Sequence, residues 1–146
     1  NSPVWSPHLL KDTNLVEKVQ RRFTKRLPGM SDLSYEDRLS TLAMERLEAR
    51  RLRADLLTAY KIIFGLTIID CATFFKFNEC TINTRGHGYK LLQPGCCCDA
   101  RRGCFTVRVV KLWNSLPPNC TDFSNIYNFK KSLNYSLFSN LCVGKY

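Results

Sequence analysis

The sequence contains none of the short motifs that carry common enzyme chemistry. It has no adjacent pair of aspartates that could hold two metal ions, no glycine-rich phosphate loop and no G-x-S-x-G nucleophile turn. The two histidines, His8 and His87, have no obvious nucleophile beside them. We therefore expect the chain to be catalytically inactive by itself and to hold no cofactor.

Long apolar runs are also missing. The best candidate, residues 62–69, has a length typical of a protein core and is too short to cross a bilayer. The N-terminus lacks the charged-then-apolar pattern of a secretory signal, and the first residue is Asn rather than Met. We therefore expect part of a longer protein that resides in the nucleus or cytoplasm and has no membrane partner.

Acidic residues are scarce relative to basic ones. The 146 residues include 22 Lys and Arg but only 12 Asp and Glu, so the net charge is +10. The excess is +4 over residues 1–65 and +6 over residues 66–146. A soluble domain this basic usually meets a nucleic acid, an anionic membrane surface or an acidic partner. Because both halves are basic, an extended polyanion such as RNA or DNA fits better than a single small acidic ligand.

The hydrophobic content is sufficient for a packed interior. Hydrophobic residues make up 45% of the chain and aromatic residues 12%, far more than disordered segments carry. The spacing predicts a mainly α fold: a small bundle of about five helices with an irregular middle, in which residues 74–77 and 81–85 could form short strands. We divide the chain into a helical segment (residues 1–65), an irregular basic and Cys-rich connector (66–103) and a helical hairpin (104–146).

Two helices are predicted in the first third of the chain. The first starts at an Asp12 or Thr13 cap and ends before Pro28 and Gly29. Ser34 and Asp37 resemble a capping box and predict a short second helix. The first helix should bury one apolar stripe, formed by Leu15, Val16, Val19, Phe23 and Leu27.

Three further helices complete the prediction. A long helix over residues 44–64 should end at Gly65 and bury Ala49, Leu52, Leu56, Ala59, Tyr60 and Ile63. The next, from residue 104, places Phe105, Val109, Leu112 and Leu116 on one face, with Trp113 beside them. The last, capped by Thr121 or Asp122, aligns Ile126, Phe129, Leu133 and Leu137.

The eight cysteines are expected to be free thiols of an intracellular chain, but two alternatives remain for them. A secreted, disulfide-bonded basic protein is one, although three consecutive cysteines are awkward for three separate bridges. A zinc site is the other, with Cys96, Cys98, Cys104 and His87 as four available ligands. Their spacing matches neither zinc ribbons nor zinc fingers, so we predict no metal site.

The first helix carries the strongest candidate binding surface. Several of its basic residues fall within an arc of roughly 100°, away from the apolar stripe, and like charges four residues apart repel one another. Only Glu17, four residues before Arg21, would relieve this repulsion. A bound phosphate backbone would do so more completely. The predicted nucleic-acid contacts are Lys18, Arg21, Arg22, Lys25 and Arg26.

A second basic cluster surrounds the start of the helix at residue 104. Its predicted contacts are Arg101, Arg102, Arg108 and Lys111, and the free amides of the helix N-terminus could also hold phosphate. A flexible basic loop is an equal alternative for this cluster. The long helix is basic as well, but Glu48 and Asp55 lie near Arg51 and predict ordinary ion pairing. Trp5 and Trp113 are interpreted as buried residues rather than as stacking platforms for bases.

Seven blocks, in this order, resemble the region after the polymerase core of jockey-like LINE retrotransposon reverse transcriptases. They are residues 2–8 (SPVWSPH), 15–22 (LVEKVQRR), 33–39 (LSYEDRL), 50–56 (RRLRADL), 60–62 (YKI), 84–87 (TRGH) and 108–117 (RVVKLWNSLP). One departure from the family pattern lies at Cys96, Cys97 and Cys98, where basic or polar residues are usual.

The resemblance implies the C-terminal thumb and post-polymerase region of an RNA-directed DNA polymerase. The catalytic aspartates and their Mg²⁺ would then belong to an upstream polymerase domain of the same polyprotein. The basic residues of the first helix fall in the thumb-like block and would grip template, primer or element RNA. A structural or protein-interaction segment, whose charge serves solubility alone, is the remaining alternative.

Overall fold

The computed structural model describes residues 3, 4, 6, 7, 9–78 and 86–133. Within these ranges the chain forms seven helices and no strand, and two of the helices are single turns of four residues. The predicted fold class, a mainly α bundle of about five helices, is therefore confirmed, and the two single turns come in addition to five longer helices. The helices are α1 (Leu10–Lys25), α2 (Tyr35–Thr41), α3 (Leu47–Ile63), α4 (Cys71–Phe74), α5 (Asp99–Arg102), α6 (Phe105–Asn114) and α7 (Ile126–Ser132).

Helix α3 is the centre of the fold, and it packs against α1, α6 and α7. Its predicted apolar face is buried, except that Ile62 takes the buried place expected for Ile63. Gly65, at φ +65°, lets the chain leave the helix because a residue without Cβ enters this conformation freely. The amides of Gly65 and Leu66 then bond the carbonyls of Ile62 and Lys61 at 3.3 and 2.7 Å, as in a Schellman cap.

The observed N-terminal cap of α2 is the predicted one, whereas the caps of α1 and α7 differ from the predicted residues. Ser34 Oγ accepts the Asp37 amide at 3.2 Å, which confirms the cap predicted for α2. Helix α1 starts after Leu9 rather than at Asp12 or Thr13. Helix α7 is capped by Asn125, not by Thr121 or Asp122.

Residues 86–92 are fastened to α6 by polar contacts as well as by aromatic packing. Asn114 bonds both backbone groups of Leu91, at 2.9 and 2.8 Å, and Trp113 Nε1 donates to the Tyr89 carbonyl at 2.7 Å. His87 Nε2 donates to the Trp113 carbonyl at 2.8 Å. The predicted burial of Trp113 is confirmed, since its side chain is fully enclosed.

In the part of the irregular middle that the structure describes, Phe77 and Leu91 form one antiparallel bridge. Residues 74–77 therefore do not form a strand, and the second possible strand, residues 81–85, lies outside the described residues. The core combines side chains from all three predicted segments, for example Leu56, Leu91 and Trp113. No helix of the described ranges has the length and apolarity needed to cross a membrane.

Helix α1 does not bury the face that the sequence predicts: three residues of the apolar stripe are exposed, and Val16 and Leu27 are half-buried. Its buried residues are Glu17, Gln20 and Thr24, whereas Val19 and Phe23 of the predicted apolar stripe are exposed. The prediction of a buried apolar stripe on α1 is therefore wrong. The physical reason is that α1 packs against two polar helix starts, those of α2 and α3, and not against the apolar core.

Candidate nucleic-acid interface

The buried side of α1 is held by hydrogen bonds to the start of α3. Glu17 accepts the Leu47 amide at 3.2 Å, so its carboxylate lies at the N-terminus of α3, where the helix dipole favours an anion. The same carboxylate accepts the Tyr35 hydroxyl at 2.5 Å. Gln20 Nε2 donates to the Glu45 carbonyl at 2.9 Å. A polar stripe can be buried here because each of its side chains makes a hydrogen bond.

A second set of bonds joins α1 to α2. Thr24 is fully buried, and its hydroxyl accepts Arg38 Nε at 3.3 Å. Arg38 Nη1 also donates to the Leu33 carbonyl at 2.7 Å. Burial next to the Glu17 carboxylate raises the pKa of Tyr35 well above its usual range, so this phenol remains a neutral hydrogen-bond donor. These contacts determine which side of α1 faces outward.

The outward side carries all five basic residues predicted for this helix. Among the described residues, no carboxylate forms an ion pair with any of the five. The Arg21 guanidinium lies over the Tyr35 ring, 4.9 Å from its centroid, and is oriented by it. Glu17 was expected to relieve the repulsion, but it points inward. The basic face formed by Lys18, Arg21, Arg22, Lys25 and Arg26 is thus less compensated than the sequence indicates.

The exposed apolar residues lie directly beside this basic face. Leu15, Val19 and Phe23 are 50%, 69% and 59% exposed. They follow one another at intervals of four residues and form one column along the helix. Sequence reasoning missed this surface because it assigned the column to the core. The signal that could have revealed it is the competing polar set Glu17, Gln20 and Thr24, which also shares one helix face.

The second basic cluster divides into exposed and interior members. Arg101 and Lys111 are exposed, and Arg102 is exposed in an ion pair with Asp99 at 2.9 Å. Arg108 instead points into the protein, where it forms two bonds with Asp55, at 2.8 and 2.9 Å. We therefore remove Arg108 from the predicted contact surface.

The remaining donors of Arg108 are also engaged. Nη1 donates to the Gly103 carbonyl and Nη2 to the Pro3 carbonyl, each at 2.7 Å. With Asp55 included, four of its five N–H groups have acceptors. The side chain therefore joins α3, α6 and the N-terminal residues, and it is not free to bind a phosphate.

A groove of about 1160 Å³ runs between the second basic cluster and α3. Its lining includes Arg51, Arg102 and Lys111, but also Glu48 and Asp99. Because these acids lie among the cations, the groove attracts a polyanion less strongly than the face of α1 does.

Ion pairing on α3 is present, although its partners differ from those predicted. Arg46 pairs with Glu36, and Arg53 pairs with Glu45 at 2.6 Å. Asp55 pairs with Arg108 of α6 rather than with Arg51, because it faces the packed side of α3. Part of the positive charge of α3 is therefore neutralised by ion pairs, as expected.

The possible zinc ligands are not assembled into a site. Within residues 9–78 and 86–133, no group of three or more Cys, His, Asp or Glu side chains is placed to hold a metal ion. The six cysteines of these ranges are free thiols. His87 is buried among aromatic rings, and burial lowers its pKa. Trp5 and His8 lie outside the described residues.

The chain matches no known protein family, no curated protein and no solved structure.

Proposed function

We propose that this chain is a nucleic-acid-binding helical segment that grips the phosphate backbone with the exposed basic face of α1. One observation carries the proposal: five cations share this face, and within the described ranges no carboxylate pairs with any of them. Such a face gains free energy by releasing counterions from a polyanion. Contacts of this type position a protein on nucleic acid without reading its sequence.

The resemblance of the seven sequence blocks supports a more specific proposal. The parent protein is a LINE-type reverse transcriptase, and this chain is its thumb and post-polymerase region. It binds template, primer or element RNA inside the cell and contributes no catalytic group. Polymerase aspartates and Mg²⁺ belong to the upstream domain, which is its second partner.

The test compares two triple variants that remove the same charge. The first replaces Lys18, Arg22 and Lys25 with Ala on α1. The control replaces Arg50, Lys61 and Lys130 with Ala, which are exposed residues elsewhere. Fluorescence anisotropy measures the affinity for a labelled RNA and for a primer–template duplex between about 50 and 200 mM salt.

The two variants separate local contact from general attraction. Each lost phosphate contact should make the slope of log affinity against log salt less negative by about 0.7 to 0.9. The slope of the α1 variant, which lacks three cations, should therefore be less negative by about 2 to 3. The control should keep most of the wild-type slope. Equal losses in both variants, or wild-type binding that ignores salt, would contradict the proposal and favour a structural or protein-interaction role.

A further inference from the structure

A pair made of one apolar residue and one cation recurs along the exposed surface of α1. Each residue of the apolar column has a cation three positions later: Leu15 and Lys18, Val19 and Arg22, Phe23 and Arg26. Residues three apart are neighbours on a helix surface. The pair recurs every four residues, an advance of about 6 Å along the axis. Two parallel columns result, one apolar and one cationic.

The repeating unit of a single nucleic-acid strand has the same two parts, an anionic phosphate and an apolar base face. We infer that α1 binds single-stranded nucleic acid, with phosphates on Lys18, Arg22 and Arg26 and unpaired bases on the apolar column. This inference rests on the proposed function and specifies its ligand. Phe23 offers a ring on which a base can stack, while Val19 and Leu15 contact base faces without distinguishing them.

A duplex does not use the apolar column. Its base faces are stacked inside the helix, and only base edges are accessible in the grooves. The three apolar side chains would then face phosphate or water, and they would add nothing to the attraction exerted by the cations. Preference for unpaired strands is therefore the property that the apolar column adds to a basic helix.

An anionic lipid surface is the competing ligand for a helix with one basic and one apolar side. A helix that binds a lipid surface buries an apolar face at the acyl boundary and carries its cations on the other, polar face. On α1, Arg26 falls at a helical angle between those of Leu15 and Val19, since positions seven and eleven residues apart nearly coincide. Arg26 therefore interrupts the apolar face, and its side chain would have to extend away from the acyl chains to keep the guanidinium among the headgroups. The same group between bases can stack on them or bind a phosphate.

The experiment uses a double variant, Val19→Ser with Phe23→Ser, which keeps every cation of α1. Its matched control is Ile68→Ser with Leu92→Ser, two exposed apolar residues in irregular segments outside α1. Anisotropy at low salt measures the affinity for a labelled oligouridine strand and for an RNA duplex of equal length. Circular dichroism verifies that each variant retains its helices.

We expect the wild type to bind the single strand more tightly than the duplex. The α1 double variant should lose affinity for the single strand by on the order of tenfold, and its duplex affinity should not change. Its salt slope should also stay the same, because no cation is removed. The control should behave as wild type, and Phe23→Trp should tighten single-strand binding because indole stacks over a larger area.

Three outcomes would overturn the inference, and they can be told apart. Equal wild-type affinity for strand and duplex, or an unchanged double variant, would refute the single-strand preference but leave phosphate binding intact. Absence of binding to either nucleic acid would refute the proposed function as well. Binding to vesicles of anionic phospholipid that the double variant loses, with strand binding retained, would assign the apolar column to a lipid surface.

Discussion

Replacing Asp55 with Ala removes the carboxylate that holds Arg108 between α3 and α6. The Asp55 side chain is 2% exposed and that of Arg108 17% exposed, so neither charge is well solvated. The guanidinium would lose two charge-assisted bonds, and among the described residues it has no second carboxylate partner to replace them. Its bonds to the Gly103 and Pro3 carbonyls would remain.

The expected loss of stability follows from this geometry. Breaking a buried ion pair by removing one partner costs about 3–5 kcal/mol, and the acceptors retained by Arg108 favour the lower end, about 3 kcal/mol. That is a large share of the roughly 5–15 kcal/mol that stabilises a domain. The melting temperature should fall by about 10 °C for a chain of this size.

Urea unfolding followed by circular dichroism measures the loss of free energy of unfolding. Two further variants show whether the loss comes from leaving a buried charge unpaired. Asp99→Ala removes the exposed partner of Arg102 and should change stability very little, because its charges are solvated. The double change Asp55→Leu with Arg108→Met should be less harmful than Asp55→Ala, because no unpaired charge remains buried. If Asp55→Ala costs no more than Asp99→Ala, the pair is not buried in solution and the reasoning fails.

Two other predictions concern residues 86–92 and their attachment to α6. Burial lowers the pKa of His87 below its ordinary value of 6.5, so the neutral ring stabilises the fold fully above about pH 6.5 and progressively less as the pH falls below it. Between pH 7.5 and 5.5 the wild type should therefore lose more free energy of unfolding than His87→Gln, and an equal loss in both would show that His87 does not titrate. Asn114→Ala should cost about 1–3 kcal/mol, because it leaves the Leu91 amide and carbonyl without partners inside the protein. A matched replacement at the exposed Asn119 should have little effect on urea unfolding, and a similar loss at both sites would contradict the assignment.

The sequence predicts α3 and α6 well because both helices are decided by local and apolar signals that agree. The buried positions of α3 recur with the helical period, and Gly65 ends the helix where a left-handed residue is needed. On α6, the packed residues again share one face around Trp113. The cap at Ser34 is equally local, since it involves residues three apart.

The ion pairs were predicted less well, because opposite charges are common along this chain and several pairings are compatible with its spacing. Asp55 has Arg51 four residues before it, but it pairs with Arg108, which is 53 residues away. Only the packing of α3 on α6 determines that choice. The same packing converts Arg108 from a candidate phosphate contact into an interior residue.

The sequence alone determines the basic residues of α1 and their helical angles: Lys18, Arg21, Arg22 and Lys25 lie off the apolar column, and Arg26 falls between Leu15 and Val19. Which side of α1 is buried is decided by the tertiary structure. Hydrophobicity favours burial of Val19 and Phe23, but the partners available to α1 are the amide of Leu47, the carbonyl of Glu45 and the side chain of Arg38. Those partners satisfy polar groups, so the polar stripe is buried and the apolar column stays on the surface beside the cations.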